Sequence, residues 1–502
     1  MAKIFIVGGG VSGLSAGIYG ALSGHEVTIA ERHSTSGGNL TGWRREGFTI
    51  DNCIHWLTGT NPATKAYKTW VELGALGGVE IVKCDTLYTY SYGGRSLSLC
   101  RDLSRLEKKM LEISPADRGE ILSLMRAVRT IQGYSGIGGA KHNRGVRTRE
   151  LLPSIPALLR YYRGSCKDLS ERFKSPLLSG FIRSFFGDCF GAIALIFVFA
   201  HFTGENADLP RGGSIAMAER MTNRFLSLGG ELLLKSPVVK INHKCGKASS
   251  AILADGREIF ADYFVFACDP KPNYEKLLSL PLPRALEKLY WRSDMRRFSS
   301  YHAAFTIDGD APFNGDYIFP LPDRRCVKLL ADHLVLREFS HEESFSPEGK
   351  SIIQVMAFIP ESTSRSFIKE RKMRPNAYEA RKGRMAEEIK AAIEEQLPAL
   401  SGKLSLLDFW TPATYERYTG AEVGAYMGFA LPKKYIPRVC PSKIPELRNV
   451  YLATQWQLVP GGLPTAADLG RKVIKEIVAA EKRGERSPSP RKRFRKRPLT
   501  QS

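Results

Sequence analysis

Lys3-Ile-Phe-Ile-Val7-Gly8-Gly9-Gly10-Val11-Ser12-Gly13 opens the chain, and the reading of this stretch decides the fold. A short run of apolar residues, the signature of a buried strand, enters three consecutive glycines. Leu14 to Leu22 then carries small and apolar residues at helical spacing. After a turn at Gly24, Val27 to Ala30 reads as a second strand ending in Glu31, 23 residues beyond Gly8. Strand, GxGxxG, helix, strand and terminal acid in this register specify a Rossmann dinucleotide unit. Gly8 makes the tight turn, Gly10 lets the backbone approach a pyrophosphate, and Gly13 lets helix and strand pack closely. The helix N-terminus at Val11 and Ser12 offers free N–H groups and a partial positive charge to phosphate. Glu31, with Arg32 beside it, is placed to accept from ribose hydroxyls.

The residues after Glu31 favour FAD over NAD. Arg32-His33-Ser34-Thr35-Ser36-Gly37-Gly38-Asn39 contains a second glycine pair where NAD domains usually run into an ordinary helix. Such a loop lets the backbone pass beside an extended cofactor. A matching feature stands near the other end of the chain. Asn449 to Ala453 reads as a strand, and Pro460-Gly461-Gly462-Leu463-Pro464 leads into a helix from about Thr465 to Ala479. A glycine loop opening a helix suits the pyrimidine edge of a flavin, and proline is well placed in a first helical turn. Gly133 to Gly139 is glycine-rich but follows no strand and reads as a loop. One nucleotide fingerprint therefore stands alone, and a dedicated NAD(P)H domain is not expected.

Composition is that of a globular protein, 43% hydrophobic and 25% charged over 502 residues. Lys and Arg exceed Asp and Glu by 73 − 51 = 22. Residues 482–502 contribute nine basic residues and one acid, a polybasic arm expected to be disordered. No nucleic-acid motif is present, so an anionic membrane surface is the better match for the basic body and tail than nucleic acid. Nine scattered cysteines without a CxxC or zinc spacing argue against a disulfide framework and a metal site, and for a reducing, cytoplasmic compartment. The opening residues do not read as a signal peptide, since the apolar run is short before the glycines begin. Phe190 to Phe202 is the longest apolar stretch, short of the roughly 20 residues a spanning helix needs. It fits a buried helix or a monotopic membrane contact, and the helical run Asp188 to Phe202 that contains it reads as an ordinary buried helix or one lining a lipid tunnel.

Five stretches carry a family resemblance: the N-terminal unit through Gly38; Gly47-Phe-Thr-Ile-Asp51-Asn-Cys-Ile-His55-Trp56-Leu-Thr-Gly59; Pro210-Arg-Gly-Gly213-Ser214; Ala267-Cys-Asp269-Pro270; and Pro460-Gly-Gly-Leu-Pro464. With these the chain resembles the phytoene desaturase, carotenoid isomerase and retinol saturase flavoproteins of the amine-oxidase-like class. The resemblance implies an α/β fold: a Rossmann-type FAD-binding domain with an interleaved α+β substrate-binding domain and a helical cover. It implies a discontinuous FAD domain over 1–85, 205–270 and 440–480, and a substrate domain over 86–204 and 271–439. By the same likeness Glu231 to Ile241 is one strand placing Val238 and Val239 beside the adenine, and Asp255-Gly256 is a hairpin turn. Asn39 stands where many relatives carry Arg or Lys, and Ala453-Thr454 where they often have Ala-Gly.

A flavin performs hydride transfer itself, while the protein supplies position, dryness and charge. His55 and Trp56, and the stretch from Thr411 through Tyr415, Arg417 and Tyr418 to Tyr426, are expected near the ring by the resemblance. His55 is a candidate proton donor or a structural histidine bonded to backbone. Tyr415 is a candidate proton donor or a plain core aromatic. Trp56, Arg417, Tyr418 and Tyr426 are the candidate substrate contacts. The leading expectation is an FAD-dependent oxidoreductase acting on a long, apolar, unsaturated lipid or isoprenoid as desaturase, saturase or isomerase. A flavin amine oxidase and a non-catalytic flavin- or lipid-binding protein are the alternatives.

Overall fold

The computed structural model describes residues 1–132, 155–321 and 332–483. The loop expected at Gly133–Gly139 and nearly all of the basic tail lie outside these residues.

A five-stranded sheet holds the N-terminal unit. Its order is Glu231–Leu233, Glu26–Ala30, Lys3–Val7, Tyr263–Phe266 and Val450–Leu452, and every pairing is parallel. Strands covered on both faces by helices must be apolar throughout, and after Lys3 the first strand is buried at every position. Helix Val11–Leu22 packs on helix Leu463–Lys482, where Ser15 Oγ donates to Ala467 O at 2.6 Å. The two helices approach closely because residue 470 is glycine: a Cβ there would lie 2.5 Å from Ser12 O.

The expected strand Glu231–Ile241 is two strands. Glu231–Leu233 joins the parallel sheet, and Val238–Lys244 joins an antiparallel meander with Lys247–Leu253 and Glu258–Phe260. Between them Lys235 adopts a φ of 52° and Pro237 follows, which breaks the ladder. The turn at Asp255-Gly256 joins the second and third meander strands, with Gly256 at φ 88°.

A seven-stranded sheet takes its strands from two separated parts of the chain. In order they are Ser405–Trp410, Ser299–Asp308, Lys350–Ile359, His333–Glu338, Asp316–Pro320, Thr86–Tyr92 and Arg95–Cys100. All pairs are antiparallel except Asp316–Pro320 with Thr86–Tyr92. Side chains alternate between the faces of a strand, and this sheet uses the alternation to separate two jobs. Tyr301, Phe305, Leu336 and Val355 pack against helices Glu361–Met373 and Pro375–Gln396. Their neighbours His302, Asp316, Ile318, Val335, Met356 and Phe358 point to the opposite face, into a cavity. Helices Ile155–Tyr162 and Ala192–Thr203 bear on the same cavity. The second of these begins at Ala192, not at Asp188, because Gly191 is its extended N-cap. Among the described residues no helix is long and apolar enough to cross a membrane.

Candidate active site

One cavity of about 1280 Å³ runs from the glycine loops of the parallel sheet to the apolar face of the seven-stranded sheet. Its volume exceeds the roughly 300–1,000 Å³ of an ordinary small-molecule pocket, so it has room for a cofactor and a second molecule.

At the dinucleotide end, Gly8, Gly10, Val11, Ser12, Glu31 and Arg32 line the wall. Gly13 does not, since it faces the Gly8 carbonyl inside the turn. The second glycine pair lies directly on the first loop: Gly37 N donates to Gly9 O at 2.8 Å, and Gly10 and Gly37 form a parallel bridge. Glu31 is buried, and its carboxylate accepts from Gly9 N at 2.7 Å and His33 N at 2.8 Å. A carboxylate has about four acceptor positions, so two remain for ribose hydroxyls. Val239, 40% exposed on the first meander strand, reaches the same rim.

Two helix N-termini open on this cavity. Gly10 caps Val11–Leu22 and Gly462 caps Leu463–Lys482; neither has a side-chain cap or an acid in its first turn. Uncapped first-turn N–H groups need acceptors, and both termini carry positive partial charge. A Cβ on Gly10 would meet no protein atom nearer than 3.7 Å, so the space over this glycine is open. These features fit an elongated anionic cofactor such as FAD, with its pyrophosphate at Gly10–Ser12 and its ring end at Gly461–Leu463. Gln455 braces that far end, accepting from Gly462 N at 3.0 Å and donating to Tyr426 O at 3.0 Å. Asn39 donates to the same Tyr426 carbonyl at 3.0 Å, and its own Oδ1 is buried without a partner among the described residues. Asp269, also on the wall, accepts from Tyr290 and from Lys271 and Glu422 N–H groups; burial pushes its carboxyl up to about 6.

Beyond the glycines the wall turns aromatic. Trp56 lies 5.2 Å from Phe185, Phe186 stacks on Phe190 at 4.7 Å, and Phe190 meets Phe298 edge-on at 5.2 Å. Tyr426 packs against Phe298 and Tyr415. Leu159, Ile436 and Val439 are part of the lining and are 64%, 63% and 43% exposed, so the apolar branch opens at the surface.

Two polar clusters interrupt this apolar branch. In the first, Tyr415 Oη and Trp410 Nε1 both donate to Asn52 Oδ1 at 2.9 Å. His302 lies flat on Trp410, 4.8 Å away at 4°, with Nε2 3.0 Å from Tyr415 Oη and 2.6 Å from Ser300 Oγ. Burial pushes His302 well below its ordinary range, with His55 adding to the effect, so the ring is neutral. Burial likewise holds the Tyr415 hydroxyl protonated. In the second cluster, His55 Nδ1 is 3.4 Å from Asp316 Oδ2, and Arg337 Nε is 2.9 Å from Asp316 Oδ1.

The structure thus brings His55, Trp56, Tyr415, Tyr418 and Tyr426 to one cavity with the expected glycines other than Gly13. Arg417 is placed elsewhere. Its carbonyl accepts from Arg32, and its guanidinium covers the ring of Tyr418 at 4.4 Å. Tyr418 itself meets His33 edge-on at 4.5 Å. Both residues therefore sit at the Glu31 end, away from the apolar branch, because Gly420 ends helix Pro412–Thr419 there. Asn52, His302, Asp316 and Arg337 are the site residues that sequence reading missed. Asn52 was within a quoted motif, and His302 is the one histidine of strand Ser299–Asp308; Asp316 and Arg337 carried no local signal.

Comparison with known proteins agrees with this architecture. The family model for flavin containing amine oxidoreductases matches residues 11–306. A prolycopene isomerase of Daucus carota is 23% identical over 84% of this chain and 71% of its own length. A 4,4'-diaponeurosporene oxygenase of Staphylococcus haemolyticus is 22% identical over 95% of this chain and 97% of its own. A phytoene desaturase (lycopene-forming) of a Paracoccus species is 22% identical over 85% and 86%. Among solved structures, an oxidoreductase from Methanosarcina mazei superposes with a TM-score of 0.60 at 16% identity, covering 94% of this chain and 100% of its own. Putrescine oxidase bound to putrescine reaches 0.58 at 15%, covering 95% and 99%, a likeness of fold. The chain belongs to the flavin containing amine oxidoreductase family, as an oxidoreductase whose cofactor is FAD.

Proposed function

We propose that this protein acts on C=C or C–C bonds of a long, apolar, unsaturated substrate, an isoprenoid, carotenoid, retinoid or fatty lipid, as a desaturase, saturase or isomerase. The observation that carries the reading is the continuity of the cavity, from the double glycine cradle into an aromatic branch open at the surface. FAD, when bound, supplies hydride exchange with a substrate carbon. In this reading Gly8, Gly10, Val11, Ser12, Glu31, Arg32, Gly37, Gly38, Asn39, Val239 and Gly461–Leu463 hold the cofactor, with Gly13 shaping the turn. Trp56 and Tyr426 hold the substrate chain, and His55 and Tyr415 are the groups that move or hold protons. The division into an FAD domain over 1–85, 205–270 and 440–480 and a substrate domain over 86–204 and 271–439 belongs to the same proposal. The membership of the two larger sheets supports it.

An amine substrate finds less support. It would be favoured by an unpaired carboxylate facing an ammonium group. In the apolar branch Asp316 is already paired with Arg337.

The open end of the branch suggests where the substrate comes from. Ile436 and Val439 stand beside Lys433, Lys434 and Arg438 in sequence, and Arg292 covers the ring of Tyr435 at 5.2 Å. Exposed apolar side chains among basic ones suit an anionic lipid surface. A cytoplasmic protein resting on such a surface is the corresponding location; the eight cysteines among the described residues are all free, as a reducing compartment would leave them.

The deciding experiment is an absorbance spectrum of the purified protein, followed by anaerobic titration with dithionite and then with polyene lipids. Flavin bands near-stoichiometric with protein that bleach with dithionite and recolour with a polyene support the reading. Bands that ignore every polyene but respond to an amine overturn it.

A further inference from the structure

His55 lies in the loop between strands Phe48–Asp51 and Leu57–Thr58. This loop is held by one guanidinium. Arg337 donates to Ile54 O at 2.5 Å and to His55 O, while its Nε contacts Asp316 at 2.9 Å. Arg337 and Asp316 are register partners on adjacent antiparallel strands, so the sheet itself sets their spacing. The same residue thus fixes the backbone under His55 and the carboxylate facing its ring.

Asp316 is buried, which alone would push its carboxyl up, but Arg337 and then His55 hold it below the usual carboxylate range. An ionised carboxylate only accepts, so the His55 nitrogen facing it, Nδ1, must carry a proton to bond it. Nε2 has no hydrogen-bond partner among the described residues, and the ring lines the cavity with Trp56, Ile318, Val335 and Met356. A buried ion pair in an apolar wall is costly, and replacing it with apolar residues is often neutral or stabilising. A clamp on the loop alone would not need Asp316 turned toward the histidine ring.

We propose that Asp316 is the positioning residue for His55, fixing the tautomer in which Nδ1–H points to Asp316 and Nε2 exchanges a proton with a substrate carbon. The proton-exchange half rests on the C=C/C–C reading above. In the direction of desaturation, Nε2 of neutral His55 takes the proton from one C–H as the neighbouring carbon loses hydride to the cofactor. The electron pair of the first C–H becomes the π bond, the pair of the second leaves with the hydride, and the imidazolium formed is neutralised by Asp316. Saturation is the same exchange reversed, with His55 giving the proton to one carbon and the other receiving the hydride.

The experiment uses the full-chain holoenzyme labelled with 15N-histidine. Long-range 1H–15N correlation at pH 8, assigned with His55→Gln, is expected to show His55 as the Nδ1–H tautomer. In Asp316→Asn, Arg337 claims the amide oxygen and the amide nitrogen faces Nδ1, so the Nε2–H tautomer is expected; Asp316→Glu restores the wild-type form. Turnover of a polyene is expected to fall about 10- to 100-fold in kcat for Asp316→Asn, by analogy with partners that orient metal-bound histidines, with KM and flavin content unchanged. Combining it with His55→Gln adds no further loss. An Nε2–H tautomer in the wild type, an unchanged tautomer in Asp316→Asn, or additive losses would each overturn the proposal. Should Asp316→Asn not fold, the wild-type spectrum decides alone. Failure of every polyene to react overturns the reaction reading and with it the proton exchange, while the tautomer still decides the positioning.

Discussion

A Cβ on Gly13 would lie 1.9 Å from the carbonyl oxygen of Gly8, whereas a Cβ on Gly10, three residues earlier, would touch nothing closer than Gly38 Cα at 3.7 Å. Two glycines of one fingerprint are therefore required for different reasons. Gly13 is demanded by the protein, because a rigid backbone oxygen occupies the place of its missing side chain. In the proposed reading, Gly10 answers instead to the cofactor that the open space over it would receive.

These constraints separate experimentally. Gly13→Ala should destabilise the apo-protein by about 1–3 kcal/mol, since backbone cannot yield as a side chain does. Gly10→Val should leave apo stability nearly unchanged but abolish flavin binding. Thermal unfolding of apo-protein, set beside the flavin-to-protein absorbance ratio, distinguishes them; equal loss of stability in both variants would contradict the assignment.

Glu31 makes a similar point about the acid that ends the second strand. It accepts from both Gly9 N and His33 N, so it ties the loop together as well as facing the cavity. Glu31→Ala leaves two N–H groups without acceptors, at roughly 1–3 kcal/mol each. Glu31→Gln keeps one acceptor oxygen and should fall between. Urea unfolding without FAD measures the structural part, and FAD titration the remainder.

The parallel sheet and its cradle were legible because each glycine answers a local demand at fixed spacing. The seven-stranded sheet was not, since Thr86–Tyr92 pairs with Asp316–Pro320 and nothing local announces so distant a neighbour. Asp316 and Arg337 become a pair only through that sheet's register, which is why they carried no signal. The break between Leu233 and Val238 was missed for a related reason: apolar residues on both sides, Leu232–Leu234 and Val238–Val239, read as one strand, while Lys235 at φ 52° sends the second half to another sheet. Arg417 was expected near the ring, yet the end of its helix at Gly420 leaves it beside Arg32.

The exposed rim of the cavity yields a membrane test. Leu159→Glu with Ile436→Glu places two acids on a surface of exposed apolar side chains, where each is more than half exposed in the native protein. Folding should be unaffected, because neither side chain is in the core. Co-flotation with vesicles containing anionic lipid should fall several-fold, and turnover of vesicle-borne polyene with it. Undiminished flotation would remove this rim as the docking face.

Acid stability depends on histidines that fold neutral. Burial lowers His201 to about 4, and Asn206 Nδ2 lies 3.2 Å from its Nδ1, an acceptor role that protonation would abolish. His341 is also lowered to about 4, by burial and then by Arg337. With folded values below the unfolded value near 6.5, the unfolded chain binds more protons in between, so stability is full above about 6.5 and is lost as pH falls toward 4. For His201 the loss between pH 7 and pH 5 is about 2 kcal/mol. His201→Gln keeps an acceptor for Asn206 and cannot be protonated, so the variant should lose less stability over that interval by about this amount. His341 still titrates in the variant, so a smaller acid-induced drop should persist. Urea midpoints at pH 7, 6 and 5 for both proteins measure the difference; parallel pH profiles would mean that His201 takes up a proton as readily in the folded protein as in the unfolded chain.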